Sequence, residues 1–287
     1  MNGESFNRAP GNYRPSLKNI LTFEVEDRFH VENPDMEPLE VRSRIIPLLM
    51  HLLDLLDGQK AQATFFVLGW VARKFPEVVA LIDTRGHEVA SHGLSHGDIR
   101  HMPTNKFQDE LQRSRAIIEE IIGKPVQGYK AATSNLGREH LALYRVIADA
   151  GYTYDCSMYA DSPRIESQRP FAISTLSNKT VTVIPQSSTR ILGVSIRFGE
   201  NVRTLPSWLG FKTMKKLNDK GQKAMLNMKL WELDAYHPRS TGQEYFNYSE
   251  YGNLSLGEDK LRRLLEFFDF SSCSEALKHQ DSRIPQA

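Results

Sequence analysis

The stretch Ala63–His96, ATFFVLGWVARKFPEVVALIDTRGHEVASHGLSH, decides the fold. ATFFVLG, within residues 61–69, is a short apolar run rich in Phe and Val, and it reads as a buried strand. Residues from about 70 to 84 carry apolar positions at helical spacing and are closed by Gly86. HEVASH then reads as the next strand, with His92-Gly93-Leu94-Ser95-His96 at its end. Strand, helix and strand in this order predict a parallel α/β unit.

The alternation extends outward in both directions. NILTFEV (19–25) reads as a buried first strand ending in an acidic cluster, Glu24, Glu26 and Asp27. Residues 40–57, EVRSRIIPLLMHLLDLLD, have helical periodicity and stop at Gly58. Residues 104–122 predict a helix with Thr104 as N-cap and Gly123 as its stop. VQGYKAAT is the next strand, 138–150 a helix and GYTYDCS a further strand. Recurrence at ~30-residue spacing indicates a parallel sheet, either barrel or doubly wound. Residues 171–206 are rich in Thr, Ser, Val and Ile and suggest extended segments. AMLNMKLWELD (224–234) reads as a late strand and EDKLRRLLEFF (258–268) as an amphipathic last helix. The expected organisation is one domain over 17–275, between polar tails at 1–16 and 276–287.

Composition sets the outer bounds. The chain has 287 residues, 40% hydrophobic and 25% charged, which excludes intrinsic disorder and a disulfide scaffold. Thirty-six Lys and Arg against 35 Asp and Glu leave a formal charge of +1. That balance argues against a nucleic-acid partner held by phosphate neutralisation. The two cysteines, Cys156 and Cys273, form no CxxC pair, so a thiolate zinc site is not expected. Two free thiols suit a reducing compartment, and a single Cys156–Cys273 bridge is the alternative. The N-terminal segment lacks the apolar core of a secretion signal, and no run approaches the ~18–20 apolar residues of a membrane span. A cytoplasmic protein is therefore expected.

The chemistry concentrates in HGLSH. Two imidazoles four residues apart can meet one divalent ion if the backbone is helical or turns sharply between them. Such an ion usually takes a carboxylate as its third ligand, and the acidic cluster after the first strand supplies candidates. In parallel α/β folds the C-terminal strand ends converge on one face, so the two clusters are expected to meet. Chance is the competing explanation, since nine histidines generate HxxxH pairs easily. His87 is expected to point away from such a site by strand alternation. Trp208, Trp231 and Tyr159 offer flat faces for sugar rings, with core packing the competing role for Trp231. The basic stretch Lys212–Lys216 reads as a solvated helix face.

Seven ordered segments carry a family resemblance. EVEDRFHV, ATFFVLG, GHEVASHGLSH, GYKAATS, GYTYDCS, KLWELDA and LLEFFDF cover about 20–272. They resemble the polysaccharide deacetylase (NodB-homology) family, and most closely its exopolysaccharide-locus branch. That branch reads approximately DVEDYFHV, ATFFVLG, GHEIASHGYSH, GYRAPSF, GYRYDSS, HPWEIDP and LLxxFxF. The resemblance implies a distorted (β/α)7-type barrel and a divalent metal, usually zinc. It also implies removal of N-acetyl groups from a hexosamine-containing glycan, or from a nucleotide- or lipid-linked precursor, in polysaccharide biosynthesis.

Residue by residue, the resemblance assigns His92 and His96 to the metal. The carboxylate ligand stays open between two positions. Strand alternation puts Glu26 on the face of Glu24, whereas the family's preference for Asp favours Asp27. Asp155 falls at a site-lining position that implies substrate contact or structural support. Trp231, the Trp of the WE segment, is the other candidate substrate contact, through its flat face. Four positions depart from the pattern. Glu24 replaces the Asp base, Lys130 the orienting Arg, Ala132 the loop Pro, and Lys229 the His acid. A glycine-rich segment is also altered to Gly199-Glu200-Asn201-Val202-Arg203. Lysine loses the bidentate fork of arginine, and at an ordinary pKa of ~10.4 it is a weak proton donor at neutral pH. His30 and His237 lie near motif positions as substitute acids. Every departure spares the metal ligands and falls on the acid–base set. Two readings follow: a retuned deacetylase using Glu24, Lys130 and Lys229, or a catalytically impaired metal- and glycan-binding module.

Overall fold

The computed structural model describes residues 17–26, 44–132, 136–160, 164, 166–191, 194–197, 199, 202–235 and 253–278. Its centre is β1 (Asn19–Val25), whose seven residues are all buried. Ile20, Leu21, Phe23 and Val25 fill the core, and the buried polar Asn19, Thr22 and Glu24 are each hydrogen-bonded. On one side β1 pairs in parallel with β2 (Thr64–Val67), which pairs with β3 (Glu88–Ser91). β4 (Gly128–Tyr129) and β5 (Tyr154–Asp155) continue the parallel order. β7 (Thr180–Val183) follows β5, and β6 (Phe171–Ser174) closes this edge as the antiparallel member. On its other side β1 pairs in parallel with β10 (Met225–Lys229), while β11 (Phe270–Ser271) pairs in parallel with Asn19 and Ile20 on the β2 side. The result is a curled nine-stranded sheet, with a separate hairpin of β8 (Ser188–Ile191) and β9 (Val194–Arg197).

Helices cover the outside. They are α1 (Ile45–Gly58), α2 (Gly69–Lys74), α3 (Pro76–Thr84) and α4 (Thr104–Ile122). α5 (Leu141–Asp149), α6 (Ser207–Asn218), α7 (Leu254–Phe267) and α8 (Cys273–Lys278) follow among the described residues. One large core joins Phe23 and Phe65 of the sheet to Leu49, Leu53, Val79, Leu111 and Ile147 of the helices. Among the described residues no helix is long and apolar enough to cross a membrane.

Several boundaries differ from the sequence expectation, each for a local reason. The helix expected over about 70–84 is two helices, because Pro76 lacks an amide proton and its ring clashes with a continuing helix. Thr104 is the first helical residue of α4 instead of its cap, and Pro103 occupies the cap position. Gly123 stops α4 as expected, in a left-handed conformation at φ 67°. The helix expected from 138 opens as a 3-10 turn, Arg138–His140, before α5. The late strand ends at Lys229 and passes into a 3-10 turn, Leu230–Leu233. The last long helix begins earlier than expected, at Leu254, and the short α8 follows it. α8 extends past residue 275 and buries Ala276.

Gly128 shows how closely neighbouring strands approach. A Cβ there would sit 2.1 Å from the Tyr154 ring. That ring is fully buried, and its hydroxyl donates to Glu88 at 2.9 Å, so it cannot swing aside cheaply. Gly128→Ala is therefore expected to destabilise the protein by roughly 1–3 kcal/mol, as overpacking does. Urea unfolding of the purified variant checks this, and an unchanged midpoint would refute the close packing of β4 on Tyr154.

Candidate active site

Glu24 and Glu26 stand at the C-terminal end of β1, both buried. The two-residue period of the strand puts them on the same face. His92 follows β3 directly, and the chain then bends through Gly93 at φ 84°, a value that glycine adopts without strain. The bend brings the His92 and His96 rings to 6.0 Å between centroids, edge to face. Hydrogen bonds hold this loop in place. The Gly69 amide donates to the Gly93 carbonyl at 2.7 Å and the Trp70 amide to the Leu94 carbonyl at 3.1 Å. Ser114 donates to the Gly93 carbonyl at 2.9 Å, and Ser95 reaches the Glu110 carboxylate at 3.0 Å.

Three ligand atoms converge from these two strand ends. Glu26 Oε2 lies 2.9 Å from His96 Nε2 and 3.6 Å from His92 Nε2. All three atoms are buried without a hydrogen-bond partner. One ligand atom from each of Glu26, His92 and His96 lies within 4.8 Å of the others. His92 Nδ1 lies 2.8 Å from the Lys130 carbonyl. That carbonyl can only accept, so Nδ1 carries the proton and Nε2 presents a lone pair. These atoms could hold a divalent ion, which would supply the partners that buried polar atoms need. Asp27, His30 and His237 lie outside the described residues.

Beside the ligand atoms sit the residues expected to handle protons. Lys130, at the end of β4 and fully buried, donates to Glu24 Oε1 at 2.5 Å. Asn227 of β10 donates to the same oxygen at 2.8 Å. Lys229, opposite Glu24 in the β1–β10 register, donates to Glu26 Oε1 at 2.6 Å and lies 3.3 Å from Glu24 Oε2. Burial pushes the Glu24 carboxyl up, but the charges of Lys130 and Lys229 outweigh it and hold the group well below its ordinary value. For Glu26 burial again opposes ionisation, and Lys229 with the two histidines reverses it.

The remaining predicted residues are also placed. Asp155, at the end of β5, is fully buried and accepts from the Ser157 amide at 2.8 Å and hydroxyl at 2.7 Å. Trp231 lies in the turn after β10, buried, with the Arg203 guanidinium 5.9 Å from its ring centroid. Arg203, from the altered glycine-rich segment, pairs with buried Glu232 at 3.0 Å. Tyr159 is buried under Arg197 at 4.0 Å, whereas Trp208 is exposed. His87 is buried and accepts from the Ala63 amide at 3.3 Å, at the opposite ends of the strands from the cluster. Cys156 and Cys273 are unbridged, with sulfurs 3.8 Å apart. Sequence reasoning missed Asn227 and Ser157. Asn227 was accessible as the i−2 neighbour of Lys229 on one strand face.

The comparisons agree with this architecture. Residues 47–154 match the polysaccharide deacetylase family model, and residues 156–278 match a domain of unknown function, DUF3473. A peptidoglycan-N-acetylglucosamine deacetylase of Bacillus cereus is 32% identical over 74 residues, 26% of this chain and 27% of the relative. A peptidoglycan deacetylase of Helicobacter pylori is 33% identical over 111 residues, 38% of this chain and 36% of the relative. The chain thus spans between 27% and 36% of the length of these curated relatives. Among solved structures, a Mycobacterium smegmatis protein assigned as a polysaccharide deacetylase superposes with a TM-score of 0.62 at 17% identity. That superposition covers 91% of this chain and 88% of the other. Over residues 47–154 the chain is similar to the polysaccharide deacetylase family, and its fold is that of the superposed structure.

Asp155 generates a pH prediction. Burial raises its pKa from 3.8 to about 7, against the hydrogen bonds from Ser157 and the charge of Lys130. Between these values the folded state keeps a proton that the unfolded chain has lost. Stability contributed by this residue therefore falls as pH rises from about 4 to 7, by on the order of 4 kcal/mol. Asp155→Asn keeps the shape and removes the ionisation. Urea unfolding of the chelator-treated proteins at pH 4.5 and 7.5 should show the variant gaining on the wild type as pH rises. Parallel pH profiles would refute the assignment.

Proposed function

We propose that this chain is a metal-dependent carbohydrate deacetylase, with zinc as the metal, acting on N-acetylated hexosamine in a glycan or its precursor. The observation that carries the reading is the convergence of Glu26, His92 and His96, with unpartnered buried ligand atoms, beside Glu24 at the C-terminal edge of a parallel sheet. Two imidazoles and a carboxylate suit zinc, and three protein ligands leave a position open for chemistry. The names of the deacetylase relatives support the reaction type. A cytoplasmic nucleotide- or lipid-linked sugar within polysaccharide biosynthesis is the proposed setting.

A divalent ion held there would supply Lewis-acid chemistry toward an amide carbonyl and toward water. The protein's own residues supply the rest. Glu24 is the proton acceptor, with Oε1 fixed by Lys130 and Asn227 and Oε2 turned toward His92 at 3.6 Å. Lys130 acts as a point charge that orients this carboxylate. Lys229 carries the proton for a departing amine, and its side chain is 28% exposed where that of Lys130 is 1% exposed. Asp155 and Trp231 are the proposed substrate-side contacts, and Asp27 is the alternative to Glu26 as the proposed carboxylate ligand.

One observation favours the second reading, a metal- and glycan-binding module without turnover. Both Glu24 oxygens face cations, and the residue in the acid position is itself tied to Glu26. Acetate release separates the two. Purified protein is assayed for bound zinc and for acetate from N-acetylhexosamines, including nucleotide- and lipid-linked forms. Zinc with acetate supports the deacetylase, zinc with saturable sugar binding and no acetate the module. His92→Ala is expected to lose the zinc, and stoichiometric metal in that variant would remove the site. Glu24→Gln is expected to retain zinc while turnover falls by about 100-fold or more. Equal losses of zinc and rate would reject Glu24 as the base.

A further inference from the structure

The two oxygens of Glu26 have different neighbours. Oε2 faces the histidines, and Oε1 lies 2.6 Å from the Lys229 ammonium. Lys229 also reaches Glu24 Oε2 at 3.3 Å, while Lys130 holds Glu24 Oε1 at 2.5 Å. Two carboxylates and two ammonium groups therefore cancel in a buried cluster. The pocket is charge-balanced before any ion enters. A zinc ion ligated by Glu26 would share that carboxylate with an ammonium group, and like charges so close repel strongly where water is scarce. The two lysines differ in their freedom to yield. The Lys130 side chain is 1% exposed, and that of Lys229 is 28% exposed, with a route to solvent.

We infer that Lys229 is a built-in counter-ion that takes the metal's electrostatic place on Glu26. It lets the two buried carboxylates fold without an ion, and it weakens metal binding until it moves aside. The inference rests on the metal-site reading above. It makes Lys229 a determinant of metal affinity, separate from any part in proton transfer. Removing its charge should tighten metal binding even where it harms turnover.

Calorimetric titration with zinc chloride tests this on the wild type, Lys229→Met, Lys229→Ala and Lys229→Arg. The two neutral variants guard against one of them failing to fold. Neutral variants are expected to bind zinc at least about tenfold tighter, a shift worth ~1.4 kcal/mol. Their melting temperature should also rise more on zinc addition than that of the wild type. Lys229→Arg keeps the charge and should behave like the wild type. Zinc binding by the wild type with equal or weaker binding by both neutral variants overturns the inference and leaves the metal site standing. Equal tightening in Lys229→Arg also overturns it, because space and not charge would then be responsible. Zinc bound by none of the four proteins overturns the inference together with the site.

Discussion

Two carboxylates, Glu24 and Glu26, are buried at the end of the central strand, and an ionised carboxylate out of water must be paired or lost. Much of the local architecture answers that requirement. Lys130 comes from the end of β4, Lys229 and Asn227 come from β10, and His92 and His96 come from the loop after β3. Three different strand ends deliver them, so the pairing also ties those ends together. Removing one partner would leave a buried charge uncompensated, the condition under which such clusters cost most.

The parallel sheet makes the convergence possible. In parallel order every C-terminal strand end lies on the same face, so residues far apart in the chain arrive side by side. Glu24 and Lys229 are 205 positions apart and are direct register partners. The loop bearing the histidines is fixed from below by backbone bonds to α2 and by Ser114 of α4. A site of this kind is held by rigid elements, as metal ligation and catalysis both require.

The departures from the family pattern become intelligible at this level. Lysine at 130 and at 229 gives two compact cations where the pattern has a forked cation and an imidazole. They engage both carboxylates, so the cluster is electrically complete without an ion. The same contacts fix the Glu24 carboxylate and hold it ionised, which lowers its affinity for a proton.

Much of this was legible in the residues. The apolar runs at 19–25 and 63–67 gave β1 and β2 their places, and Gly123 marked the end of α4, because local patterning and φ preference act over a few residues. The pairing of HGLSH with the acidic cluster was readable from parallel topology. Strand lengths were not, since β4 and β5 shrink to two residues each where the chain leaves the ladder. Nor were the partners of the buried charges. Asn227 on Glu24, Ser157 on Asp155 and Lys229 on Glu26 are set by register between distant strands and by the packing that excludes water. Local patterning along the chain settles which residue types reach the strand ends. Only the tertiary structure decided which of them touch, because contact across a sheet depends on register and burial, and neither is a local property of the chain.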